Sequence, residues 1–308
     1  MNYSRKLNFL GLALCLFATV AWGTSFYILK ETIETVNELF VISIRFLFAG
    51  LLLALIFIKN LRKTNVKVIL KGCSIGLVLV VAYVLQTYGL GYTTPSRNAF
   101  LTSAYCVMVP FIYWFTTKKA PKVYNVLSAI LCIVGIGFVA LSNKTEQGSN
   151  LFLGDGLTLI SAVFYALQII FIAKHQESGA DPCVLLIMEV LTVGVISGIL
   201  SLAIELPTNP QGFILNSEQI FKIAYLTIVC TLMAQMGQMF GQKFTSTNQA
   251  SLILSLEAVF GTLFSVVLGD EKLTSGLIIG FSIIFIAILI NELKLDPLKL
   301  FNNKKSIE

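Results

Sequence analysis

The chain has 308 residues, of which 56% are hydrophobic and only 12% are charged, with a formal net charge of +6. This supply of polar side chains is too small to coat a globule in water, which argues strongly against a soluble fold. Apolar stretches of about 20 residues, enough to cross roughly 30 Å of hydrocarbon as a helix, recur along the chain. The composition therefore indicates a membrane protein.

Taken in chain order, the apolar stretches predict ten transmembrane helices. They cover residues 8–29, 37–58, 68–90, 97–115, 122–141, 154–173, 182–204, 219–241, 248–268 and 275–293. The longest connection, 205–218, carries Pro207, Pro210 and Gly212 and is predicted to be a surface loop. We therefore expect an all-α membrane protein without a separate soluble domain.

The distribution of Lys and Arg between the spans predicts the orientation. If the N-terminus is cytoplasmic, fifteen Lys and Arg outside the spans face the cytoplasm, and only Lys30, Arg97, Lys144 and Lys272 face the other side. This bias fits the positive-inside rule, so we expect both termini in the cytoplasm and the protein in the plasma (inner) membrane. Phospholipid headgroups account for the net positive charge, so no nucleic-acid partner is needed.

Cysteine and histidine usage argues against metal and disulfide chemistry. None of the six cysteines forms a C-x-x-C pair, and the single histidine, His175, is predicted to lie in a loop. We therefore expect no metal and no cofactor. The chain also lacks a Gly-x-x-x-x-Gly-Lys motif, so ATP drive within it is unsupported.

Weak internal similarity divides the chain into two halves. Residues 20–23 align with 163–166, 45–50 with 189–194, and 94–101 with 245–252, with one loop insertion between the second and third matches. The predicted repeats are 1–143 and 144–293, followed by a cytoplasmic tail at 294–308. Because each repeat has five spans, the second must enter the membrane from the opposite side. Two inverted five-helix repeats are the architecture expected of secondary transporters.

Several short motifs resemble those of EamA-type carriers of the drug/metabolite transporter superfamily. They are ATVAWGTSF at 18–26, Gly154-Asp155, Ser255-Leu256-Glu257, and the stretch 269–273. Ala258 stands where the family often has proline, which leaves a kink in the ninth helix open. The resemblance implies a proton- or gradient-linked carrier, often an exporter, of amino acids or other small metabolites. It also implies that helices one to four and six to nine surround the cavity.

Three ionisable residues stand out inside the predicted spans, where such groups usually have a partner or a function. Arg45 and Glu189 occupy equivalent places in the two halves, so they can form an ion pair with a structural or gating role. Glu257 has no charged neighbour within two turns, and a low-dielectric setting favours the protonated form of a carboxyl. It is a candidate for proton coupling or for binding a substrate ammonium, with a purely structural role as the alternative.

Polar and aromatic residues recur at helical spacing on several spans, and such stripes are expected to face an interior cavity rather than lipid. Each aromatic residue can alternatively be an interfacial anchor or a core filler. Together the stripes suit a small amphipathic or zwitterionic substrate. The predicted substrate-binding residues are Trp22, Ser25, Tyr83, Gln86, Thr102, Tyr105, Tyr165, Gln168, Gln235 and Gln238.

The function expected from the sequence is secondary active transport, by alternating access, of an amino acid or related amphipathic metabolite, in the direction of export. A broad-specificity drug or amine efflux carrier is the alternative. A membrane enzyme would need paired carboxylates or a His cluster at one face, and a channel-like subunit would favour one repeated pore helix. The expected partners are a small-molecule substrate and membrane lipid, with a homodimer left open.

Overall fold

The computed structural model describes residues 3–117, 120–141, 150–245, 250, 253–269 and 271–293. These residues form helices joined by short turns, and no strand occurs among them. In chain order they are α1 (Tyr3–Ile33), α2 (Glu38–Ile56), α3 (Ile58–Arg62), α4 (Val66–Tyr92), α5 (Pro95–Ser103), α6 (Tyr105–Thr117), α7 (Val123–Leu141), α8 (Leu151–Glu177), α9 (Pro182–Thr208), α10 (Ser217–Phe244), α11 (Ile253–Gly269) and α12 (Ser275–Glu292).

Six of these helices are long and apolar enough to cross a membrane, namely α1, α2, α4, α8, α9 and α10. Three more apolar helices, α7, α11 and α12, are shorter. Several helices start at side chains that accept a backbone hydrogen bond, including Asn65, Thr94, Asp181 and Thr274. Such caps satisfy N–H groups that the first helical turn leaves without a partner. An all-helical membrane protein, as the composition predicts, is confirmed.

The fourth predicted span, 97–115, is two helices rather than one. α5 ends at Ser103 and α6 begins at Tyr105. Pro110, inside α6, has no N–H to donate to the carbonyl of Cys106, and the side-chain amide of Asn291 donates to that carbonyl at 3.0 Å. A neighbouring helix thus supplies the hydrogen bond that proline removes.

The predicted surface loop at 205–218 begins inside a helix. α9 continues to Thr208 through a π-helical segment at Ser201–Glu205. The Glu205 carboxylate is buried. It accepts from the backbone N–H groups of Leu39 and Phe40 at 2.7 and 3.0 Å, at the start of α2. The sequence prediction of a loop from Glu205 was wrong because this carboxylate caps another helix, where a negative charge is favourable.

The helix contacts occur in matched sets. The helices of the two halves are paired by their order along the chain, so that α1, α2, α4, α5–α6 and α7 correspond to α8, α9, α10, α11 and α12. With this pairing, the contact between α4 and α8 corresponds to that between α10 and α1, and the contact between α4 and α9 to that between α10 and α2. Contact α1–α11 likewise corresponds to α8 with α5–α6, while α2–α9, α5–α11 and α7–α12 correspond to themselves. This pattern of contacts is the one that a twofold relation between the two sets of helices would produce.

Small residues let helix backbones touch at these crossings. A Cβ placed on Gly135 of α7 would lie 2.9 Å from the carbonyl oxygen of Gly280, and one placed on Gly280 would lie 2.9 Å from that of Gly135. Close backbone approach of this kind drives helix association in lipid, where no hydrophobic effect acts between helices. α7 and α12 therefore pack together at the edge of the molecule.

Candidate functional site

The ten residues predicted to bind substrate lie around one cavity between α1, α2, α4, α5, α6, α8, α10 and α11. Arg45, Asn98 and Glu257 also line it, whereas α7 and α12 contribute no lining residue. Nor does α9, the seventh predicted span, which the family resemblance placed around the cavity. The cavity volume is about 40 Å³, which holds about three water molecules. Pockets that bind small molecules usually measure about 300–1,000 Å³, so this cavity is too small for a metabolite.

One wall is a chain of hydrogen bonds that joins three helices. The Tyr165 hydroxyl of α8 donates to Gln86 Oε1 of α4 at 2.6 Å, and Gln86 Nε2 donates to Thr102 Oγ1 of α5 at 3.0 Å. Asn98 Nδ2 donates to Thr158 Oγ1 at 2.7 Å. These bonds hold amide and hydroxyl groups at fixed positions along the cavity.

Aromatic rings form the apolar part of the lining. The rings of Tyr83 and Tyr165 meet edge to face with centroids 5.7 Å apart, and Tyr105 lies 6.4 Å from Tyr165. On the opposite side the Trp22 indole Nε1 donates to the carbonyl of Cys230 at 3.0 Å, which fixes its ring. The nearby Ser25 hydroxyl donates to the Trp22 carbonyl at 2.8 Å.

Arg45 is the only arginine among the lining residues, and its side chain is 1% exposed. Its Nε donates to Thr231 Oγ1 at 2.8 Å, and its guanidinium carbon lies 5.5 Å from the Tyr83 ring centroid. Thr231 lies in the π-turn of α10, Ile228–Met233, where its hydroxyl donates to the carbonyl of Leu226. Among the residues that the structure describes, the guanidinium Nη2 has no hydrogen-bond partner.

The predicted ion pair between Arg45 and Glu189 is not formed. Glu189 Oε1 accepts from Gln168 Nε2 at 2.7 Å, its Oε2 has no partner within the described segments, and the residue is not among those lining the cavity. The prediction was wrong because α2 and α9 meet through a different face, where Gly194 packs on Leu47. Arg45 therefore points toward α10, whereas Glu189 points toward α8.

Glu257 lines the cavity and is 6% exposed. It follows a turn at Leu256 that divides α11, so it begins the helix Glu257–Gly269 instead of lying in mid-helix. The break occurs although Ala258 replaces the proline common in the resembled family. As the first residue of that helix, Glu257 lies where the helix dipole favours a negative charge.

Not every polar stripe faces the cavity. Ser161 is fully buried and donates to the carbonyl of Thr158, and Thr87 Oγ1 is buried without a partner. Gln242 follows Gln235 and Gln238 at helical spacing on α10, but it does not line the cavity. Helical spacing identified the right faces, but it did not show how far along each helix the cavity extends.

Sequence reasoning missed a buried ion pair between Arg97 and Asp155. Arg97 is counted among the cations that face away from the cytoplasm, but it is fully buried in α5. Its Nη2 pairs with Asp155 Oδ2, and its Nη1 donates to the carbonyl of Val139 at 2.7 Å. Both residues lie at the start of predicted spans that begin on the non-cytoplasmic side. Their opposite charges at the same level of the membrane were the sequence signal for this pair.

Another missed contact involves Glu271. Its carboxylate accepts from the backbone N–H of Ser96 at 3.3 Å and from the Ser96 hydroxyl, at the start of α5. The N-cap of α12 is Thr274, so Glu271 does not cap that helix although it lies shortly before it. Its neighbour Asp270 lies outside the described residues.

Comparison with known proteins gives consistent matches. The sequence model of the EamA-like transporter family matches residues 9–141 and 152–292. An uncharacterized transporter from Archaeoglobus fulgidus is 30% identical over 285 residues, which cover 92% of this chain and 85% of the relative. An uncharacterized transporter from Buchnera aphidicola subsp. Schizaphis graminum is 22% identical over 245 residues, covering 76% and 78%.

A protein of known crystal structure also matches, with a TM-score of 0.68 at 15% identity. The match covers 94% of this chain and 98% of the other. At this identity the likeness establishes a shared fold and nothing more. Among the comparisons, the matched family and the named relatives both point to transport rather than enzymatic chemistry.

Proposed function

The chain belongs to the EamA-like transporter family of the drug/metabolite transporter superfamily, and we propose that it is a secondary active transporter of a zwitterionic, amphipathic metabolite such as an amino acid. It is a multi-pass membrane protein. We assign it to the plasma membrane, with ten spans, both termini in the cytoplasm and export as its direction. Glu257 is the proposed proton-coupling residue.

The distribution of positive charge supports this topology. Of the four cations assigned to the non-cytoplasmic side, Arg97 is buried in an ion pair, so it no longer counts against the positive-inside bias. Three remain against the fifteen on the cytoplasmic side. The matched helix contacts support two inverted repeats, the arrangement from which alternating access follows.

The observation that supports the substrate class is a set of polar atoms, on residues that line one cavity, for which the described part of the chain supplies no hydrogen-bond partner. Arg45 Nη2 is a donor, and Asn98 Oδ1 and Gln235 Oε1 are acceptors. A buried polar atom without a partner costs about 1–3 kcal/mol, so these groups are best explained as reserved for a ligand. With the Glu257 carboxyl they suit a molecule that carries both an anionic and a cationic group.

The apolar part of such a molecule has a matching surface. Tyr83, Tyr105, Tyr165 and Trp22 surround the same space, and aromatic faces accept aliphatic chains, rings and cations. A wall of amides and rings with few charges is typical of small-molecule sites. The proposed pose places the carboxylate of the substrate at Arg45 and its ammonium at Glu257.

Ligand-induced stabilisation of the purified protein tests the substrate class. Each amino acid in a panel is compared with its decarboxylated amine and its deaminated acid. A bound ligand at 100 times its Kd stabilises the folded state by about 2.7 kcal/mol, which raises the melting temperature. We expect stabilisation by one or more intact zwitterions and not by the two truncated analogues. Stabilisation by the amine alone would instead favour an amine carrier.

A further inference from the structure

Two pairs of helices stand on opposite sides of the cavity. The first pair, α1 and α10, is joined along its length. A Cβ on Gly241 would lie 3.0 Å from the carbonyl oxygen of Gly11 at one end, and Lys222 Nζ lies 2.9 Å from Glu31 Oε2 at the other. Trp22 and Cys230 connect the middle. We call this pair the first rib.

The second rib is the pair α4 and α8. A Cβ on Gly89 would lie 2.9 Å from the carbonyl oxygen of Gly154 at one end, and Ser74 Oγ lies 3.1 Å from His175 Nε2 at the other. Tyr165 bonds Gln86 between them. Each rib therefore combines one helix from each half of the sequence, so the two sequence repeats are not the units that these contacts hold together.

The ribs touch each other at one face through Lys30. Its ammonium, near the end of α1, donates to the carbonyl oxygens of Leu90 and Gly91 at 2.8 and 2.9 Å, near the end of α4. The last four carbonyls of a helix have no intrahelical donor, so the cation satisfies two of them and opposes the negative end of the helix dipole. In the proposed topology this contact faces away from the cytoplasm.

At the opposite face the ribs touch through Gln176. Its Nε2, near the end of α8, donates to the carbonyl oxygen of Met239 in α10 at 2.9 Å. The twofold correspondence of α1 with α8 and of α4 with α10 relates this contact to the one made by Lys30. The cytoplasmic contact uses a neutral amide and the outer contact a charge, and charge-assisted hydrogen bonds are roughly twice as strong.

Apolar residues separate the cavity from water at the outer contact. Leu29 and Leu90 line the cavity, while the next residues along the chain, Lys30 and Gly91, line an outer vestibule of about 540 Å³. At mid-height the ribs meet through long hydrogen bonds, 3.3 Å from Gln235 Nε2 to Tyr83 Oη and 3.4 Å from Gln168 Nε2 to Gln238 Oε1. The shorter contacts at the two faces therefore control access.

We infer that the hydrogen bonds of Lys30 and Gln176 each hold one of two gates closed. The α1–α10 and α4–α8 ribs then move apart at one face at a time. This inference rests on the proposed transport function. Release of Lys30 opens the cavity to the outer vestibule between α1 and α4, which is the route of the substrate. Release of Gln176 opens it to the cytoplasm between α8 and α10.

Cysteine accessibility tests these two contacts without any substrate. The reporter is Ser25→Cys, in a variant whose six native cysteines are replaced by serine or alanine, labelled with a membrane-impermeant maleimide. Intact cells report access from outside, and inverted vesicles report access from the cytoplasm. We expect K30M to raise the external labelling rate about tenfold, and Q176L to raise the cytoplasmic rate about fivefold. K30R retains a cation and should label like the parent.

A second variant keeps the test decisive if K30M folds poorly. In K30C/G91C a bifunctional thiol reagent should join α1 to α4 and abolish external labelling of the cavity. Unchanged rates in monodisperse K30M and Q176L, or increases at the same face in both, would overturn the inference. Because labelling requires no transport, a failure here leaves the stabilisation test of the proposed function intact, and the reverse also holds.

Discussion

Glu257 combines a buried carboxyl, a position at the start of a helix and an opening onto the cavity. It is therefore placed to exchange a proton with either face in turn. We predict that E257Q loses acceleration of export by an acidic exterior, by about tenfold or more, since the amide cannot be protonated in the same way. Proteoliposomes with an imposed pH gradient provide the measurement.

Exchange without a gradient is the matched control for E257Q. Glutamine keeps the shape and the acceptor oxygen of the side chain, so counterflow at equal pH should persist at saturating substrate, although more substrate is needed to saturate it because the ammonium loses its charged partner. If the pH dependence of E257Q equals that of the parent protein, Glu257 does not couple transport to protons.

Arg45 has one guanidinium nitrogen without a partner, and this atom is the proposed contact for the carboxylate of the substrate. Hydrogen bonds to charged groups contribute about 1.5–3 kcal/mol, so R45Q should weaken substrate binding by about tenfold to a hundredfold. Binding is measured by the concentration dependence of thermal stabilisation.

Glu189→Gln is the control for Arg45. Glu189 bonds Gln168 and does not pair with Arg45, so E189Q should bind substrate within about threefold of the parent. Equal losses in R45Q and E189Q would show that the two residues act as a pair after all, contrary to the structure.

At the level of helices, two glycines of α7 offer a matched test of backbone packing. A Cβ on Gly135 would lie 2.6 Å from Ile284 Cγ1 and 2.9 Å from a backbone oxygen, whereas one on Gly137 meets nothing within 4 Å. We predict that G135A lowers the stability of the detergent-solubilised protein by about 1–3 kcal/mol because of overpacking. G137A should be neutral or stabilising by up to about 1 kcal/mol, since alanine favours helix. Equal melting temperatures would contradict the α7–α12 contact.

The Arg97–Asp155 pair ties α5 to α8, and Arg97 also bonds the end of α7. Removing one partner of a buried ion pair leaves an uncompensated charge, typically at a cost of about 3–5 kcal/mol. We therefore predict that R97M is strongly destabilised and that R97M/D155N recovers part of the loss. Denaturation of the purified variants measures this, and a double variant no more stable than R97M would argue against the pairing.

The sequence predicts the cavity residues better than the contacts between helices. Helical spacing of Tyr165 with Gln168, and of Gln235 with Gln238, identifies faces that lipid cannot cover, and the cavity lies on those faces. The rotation of each helix about its own axis is set by its packing on neighbouring helices. The spacing of residues along the sequence does not show which helices are neighbours. For this reason the symmetric positions of Arg45 and Glu189 suggested a pair that does not form.

Breaks within helices are also hard to predict. Pro110 signals one interruption, but α5 ends at Ser103, before that proline, and α11 is divided at Leu256 without any proline. An interruption is tolerated where another helix supplies the missing hydrogen bond. The side-chain amide of Asn291, for example, donates to the carbonyl of Cys106. These bonds join residues that are far apart in sequence and leave no local pattern.

For the whole molecule, the two ribs and the matched contacts between helices surround a single small cavity. The ribs meet at both faces, and the cavity volume of about 40 Å³ is too small for a metabolite. In the proposed mechanism, access from either side breaks one contact while the other holds. This is the structural requirement of alternating access.

Counterflow in proteoliposomes tests the central claim of carrier-mediated transport most directly. The purified protein is reconstituted with a high internal concentration of the amino acid that stabilises it most, and a trace of the labelled compound is added outside. The account predicts transient, saturable accumulation of label, which R45Q diminishes at subsaturating substrate. Label that merely equilibrates, at a rate that never saturates, would contradict a carrier and indicate a pore.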